Sequence, residues 1–376
     1  MTDGRRSRAC LAATLVLAAA ASAAGGAGSD DGCAGVTAVG FAADAPARRL
    51  RPAPLGPPAR VRVRYGAVPR SVRVYVAAAA PAGAGARAVI VGDSGTVLWS
   101  GPLGAAGGPA AASGRVDYGE LAFLRRSDGT AYRAYFGDSA GRIWRLELLS
   151  PVADGPAAAR WRVLPLATLA DRRGTGPGFT VRPELFRGID GAGEPFDGVL
   201  LAGVVSAAGT ERIDLFLLRD YVVAGARSAE AVVAGRLADA GACTADEDGC
   251  PPAVGPGWRL EGAARGDTLA GGPLLDGGRI YLASYLSASV DCESGTAQRF
   301  AAVVDLATAA APATLPPLLD IGRGAPAEPA LDAGGIDLPG LPAALRAVAP
   351  RGAASLAPSG PAVRRLYWRD LMLDAD

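Results

Sequence analysis

The chain contains no histidine, no lysine and no asparagine, so every basic side chain is an arginine. Without histidine or lysine, a Ser-His-Asp triad, an imidazole metal site, a Schiff base and a P-loop lysine cannot be built. Aromatic residues are also scarce, at 6% of the chain, whereas alanine, glycine and proline are abundant, as in proteins with a GC-rich coding bias. These absences exclude those kinds of catalytic site before any motif is considered.

The chain also lacks a large net charge, since its formal net charge is only +1. A nearly neutral chain has no electrostatic basis for binding nucleic acid. Residues 1–23 combine an arginine-rich start, an apolar run and an Ala-Ser-Ala site, which predicts a cleaved signal peptide; an uncleaved anchor is the alternative. Cleavage would change the net charge to −1. The apolar run is shorter than the ~20 residues of a membrane helix, so we interpret it as part of a cleaved signal. No other stretch is long and apolar enough, so we expect no membrane span after cleavage.

Five cysteines are present, and Cys10 would be lost with the signal peptide. An even number of cysteines in an exported protein predicts disulfides. Cys243 and Cys250 flank a six-residue loop and are the first candidate pair. Cys33 and Cys292 would then form the second pair, although four cysteines allow three connectivities.

A short phrase occurs twice: residues 92–99 read GDSGTVLW and residues 137–144 read GDSAGRIW. Each copy follows an apolar strand pattern, and residues 276–281 carry a weaker echo. Repeats of ~40–50 residues built from short strands are typical of β-propeller blades. We interpret the repeat as structural, with Gly-Asp turns and tryptophans that fill the space between adjacent sheets. Its residues are Gly92, Asp93, Trp99, Gly137, Asp138 and Trp144.

Other segments also have the period-two or continuous apolar pattern of strands. They are residues 60–65, 71–76, 160–164, 198–205, 213–218, 279–286 and 300–306. The best helix signal covers residues 228–239, with Ser228 as N-cap, and Gly235 interrupts it. We therefore predict an all-β fold, a β-propeller of about six to eight four-stranded blades with seven as the best estimate. It would span residues 59–376, after an Ala/Gly/Pro-rich lead-in over residues 24–58.

Three local patterns suggest chemistry. Residues 92–95 resemble the sequence around the nucleophilic serine of trypsin-like proteases, but the chain has no histidine to act as the base. Residues 246–248 are three consecutive acids that either bind Ca²⁺ or form an exposed loop tip. Glu194 and Asp197 are a carboxylate pair of the kind that glycosidases use, but nothing in the sequence places them in one cleft. None of the three predicts an active site.

Several phrases, taken in order, resemble the C-terminal β-propeller of PilY-type proteins, the type IV pilus tip-associated and assembly factors. They are residues 132–146, 211–220, 257–260, 272–281, 321–329 and 367–370. Cys292 lies in a loop where that family often has a cysteine. The family usually has a long N-terminal region before its propeller, so this chain would be a propeller-only member.

The resemblance implies an exported, non-catalytic protein that binds pilins or minor pilins and supports pilus biogenesis. It would act in the periplasm, at the outer membrane or on the cell surface, with no cofactor and no small-molecule substrate. We expect the partner to contact the long loops of the propeller. These are residues 103–114, 165–180, 240–257 and 287–298.

The resemblance also implies a Ca²⁺ loop of the form D-x-D-x-[DN]-G-x-x-D before the second Gly-Asp phrase. In this chain the acidic positions of that loop fall on Leu124, Arg126, Asp128 and Tyr132. Only Asp128 is acidic, and one carboxylate beside two arginines cannot hold Ca²⁺. We therefore predict that calcium control of pilus retraction is lost or weak.

Two other functions remain open at this point. The first is a periplasmic propeller enzyme, for example a quinoprotein-like one; the missing lysine and asparagine and the lack of a vicinal cysteine pair argue against it. A bound chromophore, visible in the absorbance of the purified protein, would identify it. The second is a generic interaction scaffold, which the neighbouring genes would distinguish from a pilus factor.

Overall fold

The computed structural model describes residues 54–65, 68–78, 85–103, 116–148, 161–170, 176–207, 210–221, 231–242, 251–310, 318–332 and 335–342. All of them belong to the unit Cys33–Asp376. The predicted signal peptide and most of the lead-in lie outside the described residues. The described helices are three short 3-10 turns, Ala234–Arg236, Ala240–Ala242 and Ser287–Ser289, and none has the length and hydropathy of a membrane span.

Most strands form four antiparallel meanders of four strands each. The first meander contains β1 (Ala59–Tyr65), β2 (Val68–Ala78), β3 (Ala86–Gly92) and β4 (Val97–Pro102). The second contains β5 (Ala122–Arg125), β6 (Ala131–Gly137), β7 (Arg142–Glu147) and β8 (Arg162–Thr168). The third contains β9 (Glu184–Ile189), β10 (Pro195–Ala207), β11 (Thr210–Asp220) and β14 (Gly257–Ala264). The fourth contains β16 (Leu274–Asp276), β17 (Arg279–Tyr285), β18 (Ala297–Asp305) and β19 (Leu318–Gly324).

Five short strands complete the list: β12 (Val232–Val233), β13 (Ala238–Asp239), β15 (Thr268–Leu269), β20 (Ala330–Asp332) and β21 (Gly335–Asp337). β15 pairs with β17, and β20 pairs with β21 in a separate hairpin. The first two meanders are joined by one parallel pair, Val63 with Ala131, so their strands form one sheet.

The first hairpin shows how the residue pattern produces a strand. Val61 and Val63 of β1 are buried, whereas Arg60, Arg62 and Arg64 between and beside them are exposed. Alternate side chains of a strand point to opposite faces, so one face of β1 enters the core and the other meets solvent. The strands predicted over residues 60–65 and 71–76 are confirmed, and they pair as an antiparallel hairpin.

The apolar cores lie between consecutive meanders. In the second meander, Trp144 and Phe136 pack against the first meander, whereas Tyr135 and Ile143 pack against the third. Two further clusters lie between the third and fourth meanders, and between the fourth meander and the β20–β21 hairpin. Sheets that are buried on both faces by their chain neighbours are typical of a propeller. The chain therefore has the predicted all-β, propeller-like fold.

The described part of the chain contains four meanders and one further hairpin, so the predicted number of seven blades stays a prediction. The last of the phrases that carry the resemblance, residues 367–370, lies outside the described residues.

The predicted helix over residues 228–239 is wrong where the structure describes it. Val232–Val233 pairs in parallel with β8, and Ala238–Asp239 pairs in parallel with β14. We call residues 231–242 the strap, because they connect the outer strands of the second and third meanders. Gly235 weakens a helix here, and the two sheet edges provide backbone partners that a helix would otherwise supply internally.

Candidate functional site

One five-residue turn recurs at four hairpins. In each copy the N–H of the first residue donates to the carbonyl of the fifth, and the N–H of the fourth donates to the carbonyl of the first, at 2.7–3.2 Å. The fourth residue is a glycine with φ of 77–86° in every copy. This is a type I turn followed by a left-handed residue, a common hairpin connection. The copies are residues 92–96, 126–130, 138–142 and 190–194.

The two Gly-Asp phrases are not structurally equivalent, although their letters align. The first turn begins at Gly92 and joins β3 to β4, whereas the second begins at Asp138 and joins β6 to β7. The repeat therefore reflects a recurring type of turn, and the spacing between its two copies is not the length of one blade. Equivalent second strands of the first two meanders begin at Val68 and Ala131, which are farther apart than the repeat.

Asp138 is the organising side chain of the second turn, and it is fully buried. Its carboxylate accepts hydrogen bonds from the backbone N–H groups of Ala140 and Arg142, both at 3.0 Å. It also accepts from Arg142 Nε at 2.7 Å and from Trp144 Nε1 at 3.0 Å. One aspartate thus fixes the turn and orients the tryptophan that fills the core between the first two meanders.

In the first copy the aspartate has shifted by one position within the turn, and its environment differs. Asp93 is exposed and forms a 3.3 Å ion pair with Arg60. Trp99 is partly exposed and makes an edge contact with Trp161, with ring centroids 6.5 Å apart. The first copy is therefore a surface turn.

Gly137 has a packing role. We predicted a turn residue at this position, but the turn begins at Asp138. The φ of Gly137 is not positive, and a Cβ at this position would lie 2.2 Å from Cβ of Phe179. Phe179 is fully buried between the second and third meanders. A glycine is required here because the aromatic side chain occupies the space of a Cβ. Gly92 in the first copy has no such neighbour, since a Cβ there would lie 3.7 Å from Leu98.

Asp128, the remnant of the implied Ca²⁺ loop, lies in the turn between β5 and β6. Its carboxylate accepts hydrogen bonds from the backbone N–H of Thr130 at 2.9 Å and from Arg64 Nε at 2.9 Å. Burial raises the pKa of Asp128, but these hydrogen bonds and the Arg64 charge outweigh it and lower the pKa to about 2. A guanidinium thus neutralises this carboxylate, and the described residues contain no group of three or more metal-ligating side chains.

A buried ion pair connects the second and third meanders. Arg145 NH1 of β7 donates to both carboxylate oxygens of Asp220 at the end of β11, at 2.7 and 2.8 Å. Tyr135 of β6 also donates to Asp220 at 2.8 Å, and Glu147 lies 3.3 Å from Arg145. All four side chains are almost completely buried. Burial and the Asp197 and Asp220 charges raise the pKa of Tyr135 well above its usual value, so this tyrosine is a donor.

A second buried pair lies beside the first. Arg133 of β6 donates to Asp197 of β10, and Asp197 is paired in register with Asp220. Arg187 of β9 lies 3.3 Å from the other oxygen of Asp197. Burial raises the pKa of Asp197, although both arginines oppose the shift. Two aspartates on adjacent strands would repel each other, and the arginines of the neighbouring meander compensate that repulsion.

These two ion pairs were not predicted from the sequence. A signal was present, because Arg133, Arg145, Asp197 and Asp220 are charged residues within or at the ends of apolar strands. The sequence could not show which partners they meet. Arg145 and Asp220 both belong to phrases that carry the PilY-type resemblance, so the structure connects these phrases by direct contact.

The segments that precede the first strand of successive meanders also contact one another. A Cβ added to Gly119, before β5, would lie 2.8 Å from the carbonyl oxygen of Phe179, before β9. A Cβ added to Gly272, before β16, would lie 2.2 Å from the carbonyl oxygen of Arg182. We call these segments the entry segments. Their contacts place the starts of three meanders side by side.

Three charged side chains gather at the entry segments. Arg182 forms a 3.4 Å ion pair with Glu328, which precedes β20. Burial raises the pKa of Glu120, the Glu328 charge raises it further, and Arg182 opposes the shift. These contacts bring Glu120, Arg182 and Glu328 together from three parts of the chain.

The remaining predicted residues have mixed outcomes. Cys292 is disulfide-bonded, but Cys33, Cys243 and Cys250 lie outside the described residues, so the connectivity stays a prediction. Glu194 is exposed in a hairpin turn and Asp197 is buried in an ion pair, so the structure does not present them as a carboxylate pair.

The predicted contact loops are also described only in part. Residues 104–114 and the acids 246–248 lie outside the described residues. Residues 165–168 belong to β8, and residues 297–298 belong to β18, so these loops are shorter than predicted.

Comparisons with known proteins identify one fold. No protein-family model matches the sequence, and no curated protein matches it at a significant level. Among solved structures, this chain is similar to the crystal structure of the Pseudomonas aeruginosa PilY1 C-terminal domain, with a TM-score of 0.50 and 16% identity. The likeness covers 68% of this chain and 59% of that one. At this identity the chain shares with that domain a PilY1-like, β-rich fold.

Proposed function

We propose that this protein is an exported, non-catalytic β-propeller-like protein of the type IV pilus system that binds pilins or minor pilins during pilus biogenesis. The observation that carries the proposal is the likeness of fold to the PilY1 C-terminal domain. The ordered PilY-type phrases support it, and two of them meet in the buried Arg145–Asp220 pair.

Binding, as opposed to catalysis, is supported by the chemistry of the side chains. The chain has no histidine or lysine to act as a base or nucleophile. The most buried carboxylates, Asp138, Asp197 and Asp220, are bound by arginine, tryptophan or tyrosine donors that orient secondary structure. We propose that the protein acts outside the cytoplasm, which agrees with the predicted signal peptide.

The function can be tested by deleting the gene and scoring surface pili and twitching motility, with and without added Ca²⁺. We expect loss of pili and restoration by the wild-type gene irrespective of Ca²⁺. The Asp128→Asn gene is the matched variant, and it should restore pili equally well because Arg64 already neutralises this carboxylate. Normal pili and motility in the deletion strain would refute the pilus role.

A further inference from the structure

Arginines from three meanders converge beside the turn between β5 and β6. Arg126 lies in the turn itself, and its guanidinium carbon is 5.5 Å from the centre of the Tyr132 ring. Arg187 of β9 lies 5.1 Å from the same ring and donates to the Tyr132 hydroxyl. Arg64, near the end of β1, reaches the turn through its ion pair with Asp128. Cations from three separate parts of the chain thus share one end of β6.

The carboxylates at this place leave one of these arginines without a partner of opposite charge. Asp128 is paired with Arg64, whose NH2 lies 2.8 Å from it. Asp197 is shared between Arg187, at 3.3 Å, and a second arginine on β6. Arg126 forms no ion pair with any described residue. In a chain whose formal net charge is only +1, this arrangement is a local excess of positive charge.

The surroundings of Arg126 disfavour its charge. Burial and the Arg64 charge lower the pKa of Arg126, although Asp128 and Tyr132 oppose the shift. Its NH1 is buried and has no hydrogen-bond acceptor among the described residues. Tyr132 stays neutral, because burial and the Asp197 charge raise its pKa to about 12 against the opposing charges of two arginines. A buried donor that has lost water without gaining an acceptor is unfavourable, so an incoming acceptor would relieve that cost.

The arginines can be reached from solvent. The Arg64 side chain is 45% exposed and the Asp128 side chain is 29% exposed. The Arg187 side chain is 33% exposed, and Arg126 is half-buried. A bound anion would therefore be partly removed from water, which strengthens its attraction to the arginines. The planar donors of a guanidinium match two oxygens of a carboxylate or of a phosphate group.

We propose that Arg64, Arg126 and Arg187 form a binding site for an oxyanion, a carboxylate or phosphate group carried by a partner molecule. The anion lies over the turn between β5 and β6, accepts hydrogen bonds from Arg64 and Arg126, and is attracted by the Arg187 charge. A small rotation of Arg126 brings its NH1 to the anion. Asp128 competes with the anion for Arg64 and so weakens binding. The inference does not depend on the pilus role.

The test measures the binding of two probes, inorganic phosphate and succinate, to the purified full-length protein by isothermal titration calorimetry at low ionic strength. Arg126→Gln should weaken binding at least about ten-fold, as for the loss of a charge-assisted hydrogen bond. Asp128→Asn should bind more tightly than the wild type, because Arg64 is released. The matched control is Arg60→Gln, which removes another arginine of β1, paired with Asp93, and should bind like the wild type.

Tighter binding of phosphate would assign the site to a phosphate-bearing partner, tighter binding of succinate would assign it to a carboxylate-bearing one, and either supports the proposal. Equal binding by the wild-type and Arg126→Gln proteins would overturn it, as would a wild-type protein that binds neither probe. If Arg126→Gln does not fold, Arg64→Gln decides, because this side chain is more exposed. It should weaken binding by a similar factor, and unchanged binding would refute the site.

Discussion

Arginine carries every positive charge of this chain, and its side chains lie in two different environments. Arg60 is 65% exposed and its ion pair with Asp93 is open to solvent. Arg145, in contrast, is 3% exposed and forms a two-oxygen contact with Asp220. A planar guanidinium suits such buried contacts with a carboxylate because its donors match both oxygens. The absence of lysine is therefore compatible with a highly charged interior.

Removal of Asp220 should be far more harmful than removal of Asp93. Asp220→Ala leaves the Arg145 charge buried, so we expect a loss of about 3–5 kcal/mol in the free energy of unfolding. Asp93→Ala removes an exposed pair and should cost less than about 1 kcal/mol. Urea unfolding of both variants measures the difference. A change for Asp220→Ala as small as that for Asp93→Ala would show that this ion pair does not hold the meanders together.

The Asp128 carboxylate should stabilise the fold only above acidic pH. Its pKa in the folded protein, about 2, is below the ordinary value of 3.8. Its contribution is therefore complete above pH 3.8 and is lost as the pH falls towards 2. We expect the thermal midpoint of the wild type to fall more steeply in this window than that of Asp128→Asn.

The same two proteins test the calcium prediction. Adding Ca²⁺ should shift neither midpoint, because Arg64 occupies the position of a counter-charge. A midpoint that rises with Ca²⁺ in the wild type but not in Asp128→Asn would reveal a functional metal site.

At the scale of the element, the recurring unit is the five-residue turn with glycine at its fourth position. The turn tolerates different first residues, glycine at 92, arginine at 126 and aspartate at 138 and 190. Asp190 repeats the arrangement of Asp138, since its carboxylate accepts from the N–H groups of Ala192 and Glu194 at 2.9 and 2.8 Å. The sequence phrase correctly marked the turns at residues 92–96 and 138–142, because turn geometry is a local property, but it did not mark the other two.

Two glycines at the same position of the phrase should respond differently to alanine. Gly137→Ala forces Phe179 to move, so we expect a loss of about 1–3 kcal/mol in the free energy of unfolding, as for other overpacked cores. Gly92→Ala meets only ordinary contact with Leu98 and should change stability by less than about 1 kcal/mol. Thermal or urea unfolding measures both. Equal effects would mean that Phe179 does not pack over Gly137.

At the scale of the whole molecule, each described meander is held by its chain neighbours through an apolar core, and the second and third also through buried ion pairs. The entry segments add a third kind of contact, in which backbone approaches backbone where glycine leaves room. These contacts gather Glu120, Arg182 and Glu328 from three parts of the chain.

Glu120→Gln should stabilise the protein at neutral pH. Burial and the Glu328 charge raise the pKa of Glu120 above 4.5, so the ionised form is disfavoured in the folded state. Stability is therefore lost as the pH rises through the raised pKa, and the neutral glutamine avoids that loss. We expect a higher thermal midpoint for Glu120→Gln at pH 7 and no difference at a pH well below 4.5.

Glu194→Gln, at an exposed turn, is the control for this comparison and should leave the midpoint unchanged at both pH values. A lower midpoint for Glu120→Gln at pH 7 would show that the carboxylate has a favourable partner at the entry segments.

Several features of the protein were determined by the sequence alone. A period-two pattern placed β1, and apolar runs placed β17 and β18, within a few residues of their positions, and the Gly-Asp phrase marked two of the hairpin turns. Both depend on neighbours along the chain, so they can be read locally. The all-β class follows from them, and the ordered PilY-type phrases pointed to the fold that the structural comparison supports.

Other features were decided only by the tertiary structure. Gly137 is required because Phe179 arrives from another segment, and Arg145 meets Asp220 because two meanders pack face to face. The strap forms two short strands and two 3-10 turns, and no α-helix, because the edges of β8 and β14 lie within its reach, although its own residues favoured a helix. In each case the stabilising contact joins residues that are distant in the chain. A local sequence pattern depends only on neighbouring residues, so it cannot predict such a contact.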